Sequence, residues 1–204
     1  MKDNATIIKM SRESLKGKWG LAIGTTVVYM LIIGGIQVIP KAGALGSLII
    51  TGPLGLGLAL FALTIVRNGE AKLNQLFEGF QNFGTALGAY LLTTLFTILW
   101  LLLLIVPGIV AAISYAQTLY ILADNPNIGP MEAIDKSKAM MDGYKMQYFT
   151  MLLRFFGLLL LCILTLGIGI FWLVPFMQVT AATFYEELKA AQAANQETQN
   201  APAV

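Results

Sequence analysis

Four stretches of this chain lack charge over lengths that suit a membrane, and this constrains the fold more than any motif does. They are residues 19–40, 42–66, 79–123 and 146–185, of 22, 25, 45 and 40 residues, and only Arg154 interrupts the last. An ionised side chain at bilayer depth costs about 2.5–3.5 kcal/mol. A helix needs about 20 residues to cross roughly 30 Å of hydrocarbon. Each shorter window therefore holds one span, and each longer window holds two. Composition agrees: 57% of the residues are hydrophobic and 12% are charged, against about 25% charged in soluble domains. The expected fold class is an all-α polytopic membrane protein.

Prolines divide the long windows. Pro107, followed by Gly108, interrupts the third window, and Pro175 interrupts the fourth. Proline lacks an amide donor but suits the first turn of a new helix. Pro53 is read the same way after the 40–46 connection, so Pro53, Pro107 and Pro175 are all expected near helix starts. Six spans follow, at roughly 19–39, 47–66, 83–105, 107–122, 147–172 and 175–188, grouped as three helical hairpins. Four spans with re-entrant segments are the alternative. Ala42-Gly43-Ala44 has the small-x-small form of a signal cleavage site, but the apolar stretch before it exceeds the usual signal core, so the first span is expected to be retained.

Lysine and arginine set the orientation. Lys2, Lys9, Arg12, Lys16 and Lys18 precede the first span; Arg67, Lys72, Lys136, Lys138, Lys145 and Lys189 follow even-numbered spans; Lys41 alone falls on the other side. The positive-inside rule then places both termini in the cytoplasm. The tail at 189–204 is polar and alanine-rich and is expected to be disordered, leaving 1–188 as a single membrane domain.

Within that domain three blocks, 11–66, 73–123 and 137–188, open alike. Leu15-Lys16-Gly17, Phe77-Glu78-Gly79 and Met141-Asp142-Gly143 each read apolar, charged, glycine. This pattern fits an amphipathic helix ended by a left-handed glycine and followed by a hairpin. Ser11 and Ser137 both lie six residues before the block's glycine. Residues 129–145 form one such amphipathic connector, with Ile134 and Met141 opposed to Glu132, Asp135 and Lys136.

Candidate functional residues are few. Polar groups at membrane depth are the first suspects, and Arg154, Gln117 and Gln178 are the candidates for a polar cavity. Arg154 also sits close enough to a helix end to reach the interface. Gly20 with Gly24, and Gly84 with Gly88, form small-xxx-small pairs suited to close helix packing. Asp124 closes a helix at an Asn-Pro turn, and Cys162 reads as inert. The chain has no histidine and one cysteine, which excludes imidazole-based catalysis, disulfide scaffolds and Cys/His zinc sites. No catalytic residues, cofactor or metal ligands are expected. The net charge of +2 argues against nucleic-acid binding.

Five ordered segments carry a family resemblance: Leu15-Lys16-Gly17-Lys18-Trp19-Gly20, Gly52-Pro53-Leu54-Gly55-Leu56-Gly57, Ile105-Val106-Pro107-Gly108-Ile109, Tyr120-Ile121-Leu122-Ala123-Asp124-Asn125-Pro126 and Val174-Pro175-Phe176-Met177-Gln178-Val179-Thr180. Together with the closing Phe184-Tyr185-Glu186-Glu187-Leu188, the chain resembles the bacterial integral-membrane family known as domain of unknown function 975. In layout it is more distantly similar to the membrane domain attached to some glycerophosphodiester phosphodiesterases. Their catalytic domain has no counterpart here, so the resemblance implies no phosphodiesterase activity. It implies a bacterial cytoplasmic-membrane location and supplies no site residues. The expected function is that of a non-enzymatic accessory or scaffold component with a membrane-protein partner or a second copy of the chain, in contact with the lipid bilayer. The alternative is a permease or exporter of a small amphiphile, peptide or lipid.

Overall fold

The computed structural model describes residues 1–40 and 43–200, with side chains to residue 195. Lys41, expected on the far side of the membrane, Ala42 of the cleavage-like triplet and tail residues 201–204 lie outside the described residues. Among the described residues all regular structure is helical: α1 (Asn4–Ser14), α2 (Trp19–Gln37), α3 (Gly43–Val66), α4 (Gln75–Glu78), α5 (Phe83–Leu103), α6 (Ile105–Tyr115), α7 (Thr118–Asp124), α8 (Pro130–Met141), α9 (Lys145–Leu164) and α10 (Ile170–Asn200). A 3-10 turn, Gly79–Asn82, joins α4 to α5.

Five segments are long and apolar enough to cross a membrane: Trp19–Gln37, Gly43–Val66, Gln75–Leu103, Ile105–Asp124 and Lys145–Leu164. The first half of α10 is apolar, but Glu186, Glu187 and Lys189 follow within it. Large apolar side chains stay exposed along these helices, and Leu102, Leu104, Leu164 and Leu166 near the 104 and 165–169 connections are among the most exposed. Such a surface matches hydrocarbon and not water. The chain is an all-α polytopic membrane protein.

The centre is α3. Buried residues make up 61% of its apolar span, against 17% for α2 and 22% for α9, and it touches α2, α4, α5, α7 and α10. Missing side chains explain the close approach. A Cβ on Gly57 would lie 2.0 Å from the Leu76 carbonyl oxygen, and one on Gly79 would lie 2.0 Å from the Pro53 carbonyl oxygen. Backbone therefore meets backbone where α3 crosses the α4 turn, a contact only glycine permits. Gly79 was expected to end a helix in the left-handed conformation. Its φ is instead −61°, and close approach is what requires it.

At Gly17 and Gly143 the expectation holds, with φ of +76° and +78°. Both follow amphipathic helices. α1 starts on Asp3, whose carboxylate accepts from the Ala5 amide and the Thr6 hydroxyl. The Thr6 hydroxyl holds the Asp3 carboxyl below its ordinary value against the opposing desolvation, with help from the Ala5 amide. α8 starts on Pro130 and pairs Glu132 with Lys136 and Asp135 with Lys138 on its outer side. Each connector packs on the second long helix of another block: α4 on α3 and α8 on α6 and α7 of the block before, and α1 on α10 of the last block.

The serines do the fastening, and both are fully buried. Ser11 donates to the Ile7 carbonyl and lies 2.9 Å from the Thr183 hydroxyl of α10. Ser137 fills the break between α6 and α7: its hydroxyl donates to the Ser114 carbonyl at 2.7 Å and accepts from the Gln117 amide at 3.2 Å. Ser137→Ala orphans two buried backbone groups, and the expected cost is about 2 kcal/mol. Thermal denaturation in detergent checks this, and an unchanged midpoint would contradict the bridging role.

Two of the three helix-start prolines are corrected. Pro107 lies in the first turn of α6, after an extended Leu104 breaks the helix. Pro53 and Pro175 lie inside α3 and α10. One interior proline removes one backbone hydrogen bond, a loss that membrane helices tolerate where neighbouring helices pack around it. The turn between α9 and α10 falls instead at 165–169, where Leu166 and Gly167 adopt φ of +53° and +85°. Within the tail, residues 189–200 are corrected as well: α10 runs on to Asn200. Ala190, Ala191, Ala193 and Ala194 have high intrinsic helix propensity, and a helix already nucleated upstream needs no apolar face to propagate.

Candidate functional site: an aromatic chamber beneath an ion cluster

The expected polar cavity does not form. Arg154 is exposed on α9 and borders a surface cleft with Lys2, Asp3, Gln147 and Thr150, as a snorkelling guanidinium does. Gln117 is fully buried in the break between α6 and α7, and neither its carboxamide oxygen nor its nitrogen has a partner among the described residues. Gln178 alone of the three faces a central cavity. The sequence could not foresee this, because the three residues lie on different helical segments, Gln117 at a break in one of them, and packing sets how each is turned. Gln117→Met keeps the shape and removes both unpaired groups, so a gain of about 1 kcal/mol is expected. A loss of stability in the same denaturation assay would show that the carboxamide is satisfied after all.

The central cavity has a volume of about 350 Å³. Residues from all six long helical segments line it, among them Tyr29 of α2, Thr51 of α3, Tyr90 of α5, Tyr120 of α7, Tyr148 of α9 and Gln178 of α10. Tyr120 donates to Gln178, with its hydroxyl 3.2 Å from the backbone oxygen and 3.3 Å from Oε1. Beside it runs a groove of about 520 Å³ between α6 and α9, lined by Ile109, Ala112, Phe149, Leu153, Phe156 and Leu159 among others. The two cavities share walls at Ala116, Tyr148, Leu152, Phe155 and Met177. Among the described residues no charged side chain lines either.

An ion cluster sits next to the chamber. The Tyr120 ring stacks on Tyr185 with centroids 6.0 Å apart, and the Tyr185 hydroxyl donates to Asp124 at 3.0 Å. Asp124 also accepts from Arg67 and Lys189, both at 2.5 Å, and Arg67 bonds Glu186 through Nε at 2.9 Å and a second nitrogen at 2.6 Å. Burial disfavours the Arg67 charge, but Asp124 and Glu186 outweigh it and raise its pKa. A second pair, Lys2 with Glu187, ties the start of the chain to α10.

The turn reading of Asp124 missed this hub. A signal for it was present: Arg67, Asp124 and Glu186 are the first charges after the windows that end at Val66, Ala123 and Tyr185. The ends of three uncharged windows thus meet through the charges that terminate them.

The packing glycines divide unevenly. A Cβ on Gly88 would lie 3.0 Å from the Pro130 ring, whereas Gly20, Gly24 and Gly84 have nothing within 4 Å. Close approach within the chain belongs instead to Gly52, Gly57 and Gly79. Gly52 faces the α5 backbone, at 2.9 Å from the Ala86 carbonyl oxygen.

The motifs that resembled a family prove to lie at structural junctions: Gly17 at a positive-φ turn, the glycines of α3 at its crossings, Pro107 after the break and Asp124 at the hub. A family model described as Protein of unknown function (DUF975) matches residues 1–118 and 98–192. The chain belongs to the DUF975 family. The two matched segments overlap at 98–118 and together take in α1 to α9, α10 as far as residue 192, and the whole ion cluster. No curated protein and no solved structure matches this DUF975 chain.

Proposed function

We propose that the protein is a non-enzymatic component of the bacterial cytoplasmic membrane that holds a small amphiphile in its central chamber, as a permease or exporter does. The carrying observation is the chamber itself, walled by all six long helical segments and joined to an apolar groove. A chamber of this size falls within the roughly 300–1,000 Å³ of small-molecule sites. The excess of lysine and arginine at one end of the bundle supports cytoplasmic termini.

Purification in a gentle detergent, followed by mass spectrometry of the extracted lipids, tests the reading. One defined amphiphile retained in near-stoichiometric amount is the expected result. Only bulk phospholipid in host proportions would overturn it.

A second reading, an accessory component working through a partner helix or a second copy, is favoured by Gly20, Gly24 and Gly84. A Cβ at any of them would meet nothing within 4 Å among the described residues, and such small-residue faces suit close helix approach. It predicts a discrete complex in native gels that Gly20→Leu with Gly84→Leu dissociates.

A further inference from the structure

We infer that the chamber and the groove are one site for an uncharged lipid, with a hydroxyl or carbonyl head against the tyrosines and a hydrocarbon chain leaving between α6 and α9. This rests on the amphiphile reading above and specifies its ligand.

Three observations carry it. The first is a set of unpaired polar groups. Tyr148 is 7% exposed, borders both cavities, and its hydroxyl has no hydrogen-bond partner among the described residues. Tyr29 and Tyr90 are half-buried and line the same chamber, and neither hydroxyl makes a hydrogen bond among the described residues. The Tyr120–Gln178 contact uses the carboxamide oxygen and leaves its nitrogen free. These residues line the open chamber, and a phenol in apolar surroundings ordinarily finds a hydrogen-bond partner. A ligand bearing hydroxyl or carbonyl oxygens satisfies these groups.

The second is the absence of countercharge. The lining residues of both cavities are uncharged. The neighbouring cations Arg67 and Lys189 are already bonded to Asp124 and Glu186. A phosphate, carboxylate or ammonium head would be desolvated there without a partner. The head is therefore neutral.

The third is the open wall. Leu153 and Phe156 are 57% and 55% exposed along the groove, on α9, a helix long and apolar enough to span the bilayer. A chain lying there replaces lipid contacts with protein contacts and exposes nothing to water. Entry is sideways, from the hydrocarbon, and needs no aqueous path.

The test uses the full chain in nanodiscs of phosphatidylethanolamine and phosphatidylglycerol. The probes are a diazirine-bearing monoacylglycerol, the matching fatty acid and the matching lysophosphatidylglycerol. Labelling of α6 and α9 chamber peptides by the monoacylglycerol is expected at least fivefold above the two anionic probes. Ala112→Trp, which fills the groove, is expected to remove most of that labelling, and the isosteric Tyr148→Phe to reduce the preference for the neutral probe while the fold is retained. Equal labelling of the chamber by an anionic probe would overturn the neutral head and leave the amphiphile chamber standing. Labelling by every probe no stronger in the chamber than at the outward-facing Leu102 would overturn both.

Discussion

Gly57→Ala is expected to cost about 3 kcal/mol and to lower the melting midpoint in detergent by about 10 °C. The added methyl would lie 2.0 Å from the Leu76 carbonyl oxygen, 2.5 Å from its carbon and 2.8 Å from the Gln75 carbonyl oxygen. All three are backbone atoms, so no rotamer change relieves the clash. The α4 turn must move away from α3, and Leu76, fully buried among Leu54 and Leu58, moves with it. Gly20→Ala and Gly84→Ala are the contrasts. Neither added methyl meets anything within 4 Å, and alanine gains about 1 kcal/mol over glycine in helix propensity. These two variants are expected to be neutral or slightly stabilised. A Gly57→Ala midpoint within about 2 °C of the parent, less than 1 kcal/mol on this scale, would refute the backbone contact.

Asp124→Ala is the second large effect. Its carboxylate is 10% exposed and takes bonds from Arg67, Lys189 and the Tyr185 hydroxyl. Losing the anion of a buried pair costs about 3–5 kcal/mol. Both cations here are 43% exposed, and solvent screens part of that; about 2 kcal/mol is expected. Lys189→Ala should cost less, because Arg67 still neutralises Asp124. A double-mutant cycle on Asp124 and Lys189 should return a coupling of about 1 kcal/mol, reduced in high salt. Additive losses would mean that the two side chains do not interact.

What could be read from the sequence was whatever depends on local chemistry. Uncharged windows gave the all-helical membrane class, since the charge penalty acts on each window separately. Gly17 and Gly143 were legible because a helix that must end wants a residue able to take positive φ. Pro53 and Pro175 were misread because proline's local cost is one hydrogen bond, and packing around the helix decides whether the helix bears it. The same limit hid the chamber. Tyr29, Tyr90, Tyr120 and Tyr148 sit on four different helices, and no spacing in the chain connects them. Arg154 and Gln117 show the reverse: each is conspicuous alone, and helix rotation sends one to the surface and the other into a closed break. Asp124 was in plain view as a turn residue, while its role depends on partners 57 and 65 residues away.

Those separations bear on how the chain is made. Domains and segments assemble from the N-terminal side during synthesis. Arg67 and Asp124 can meet once the first two blocks have been inserted, and the two together carry no net charge. Glu186 and Lys189 arrive later on one helix, and they too sum to zero. The growing protein thus adds neutral pairs at each stage, so neither the two-block intermediate nor the finished bundle leaves an uncompensated ion at that junction.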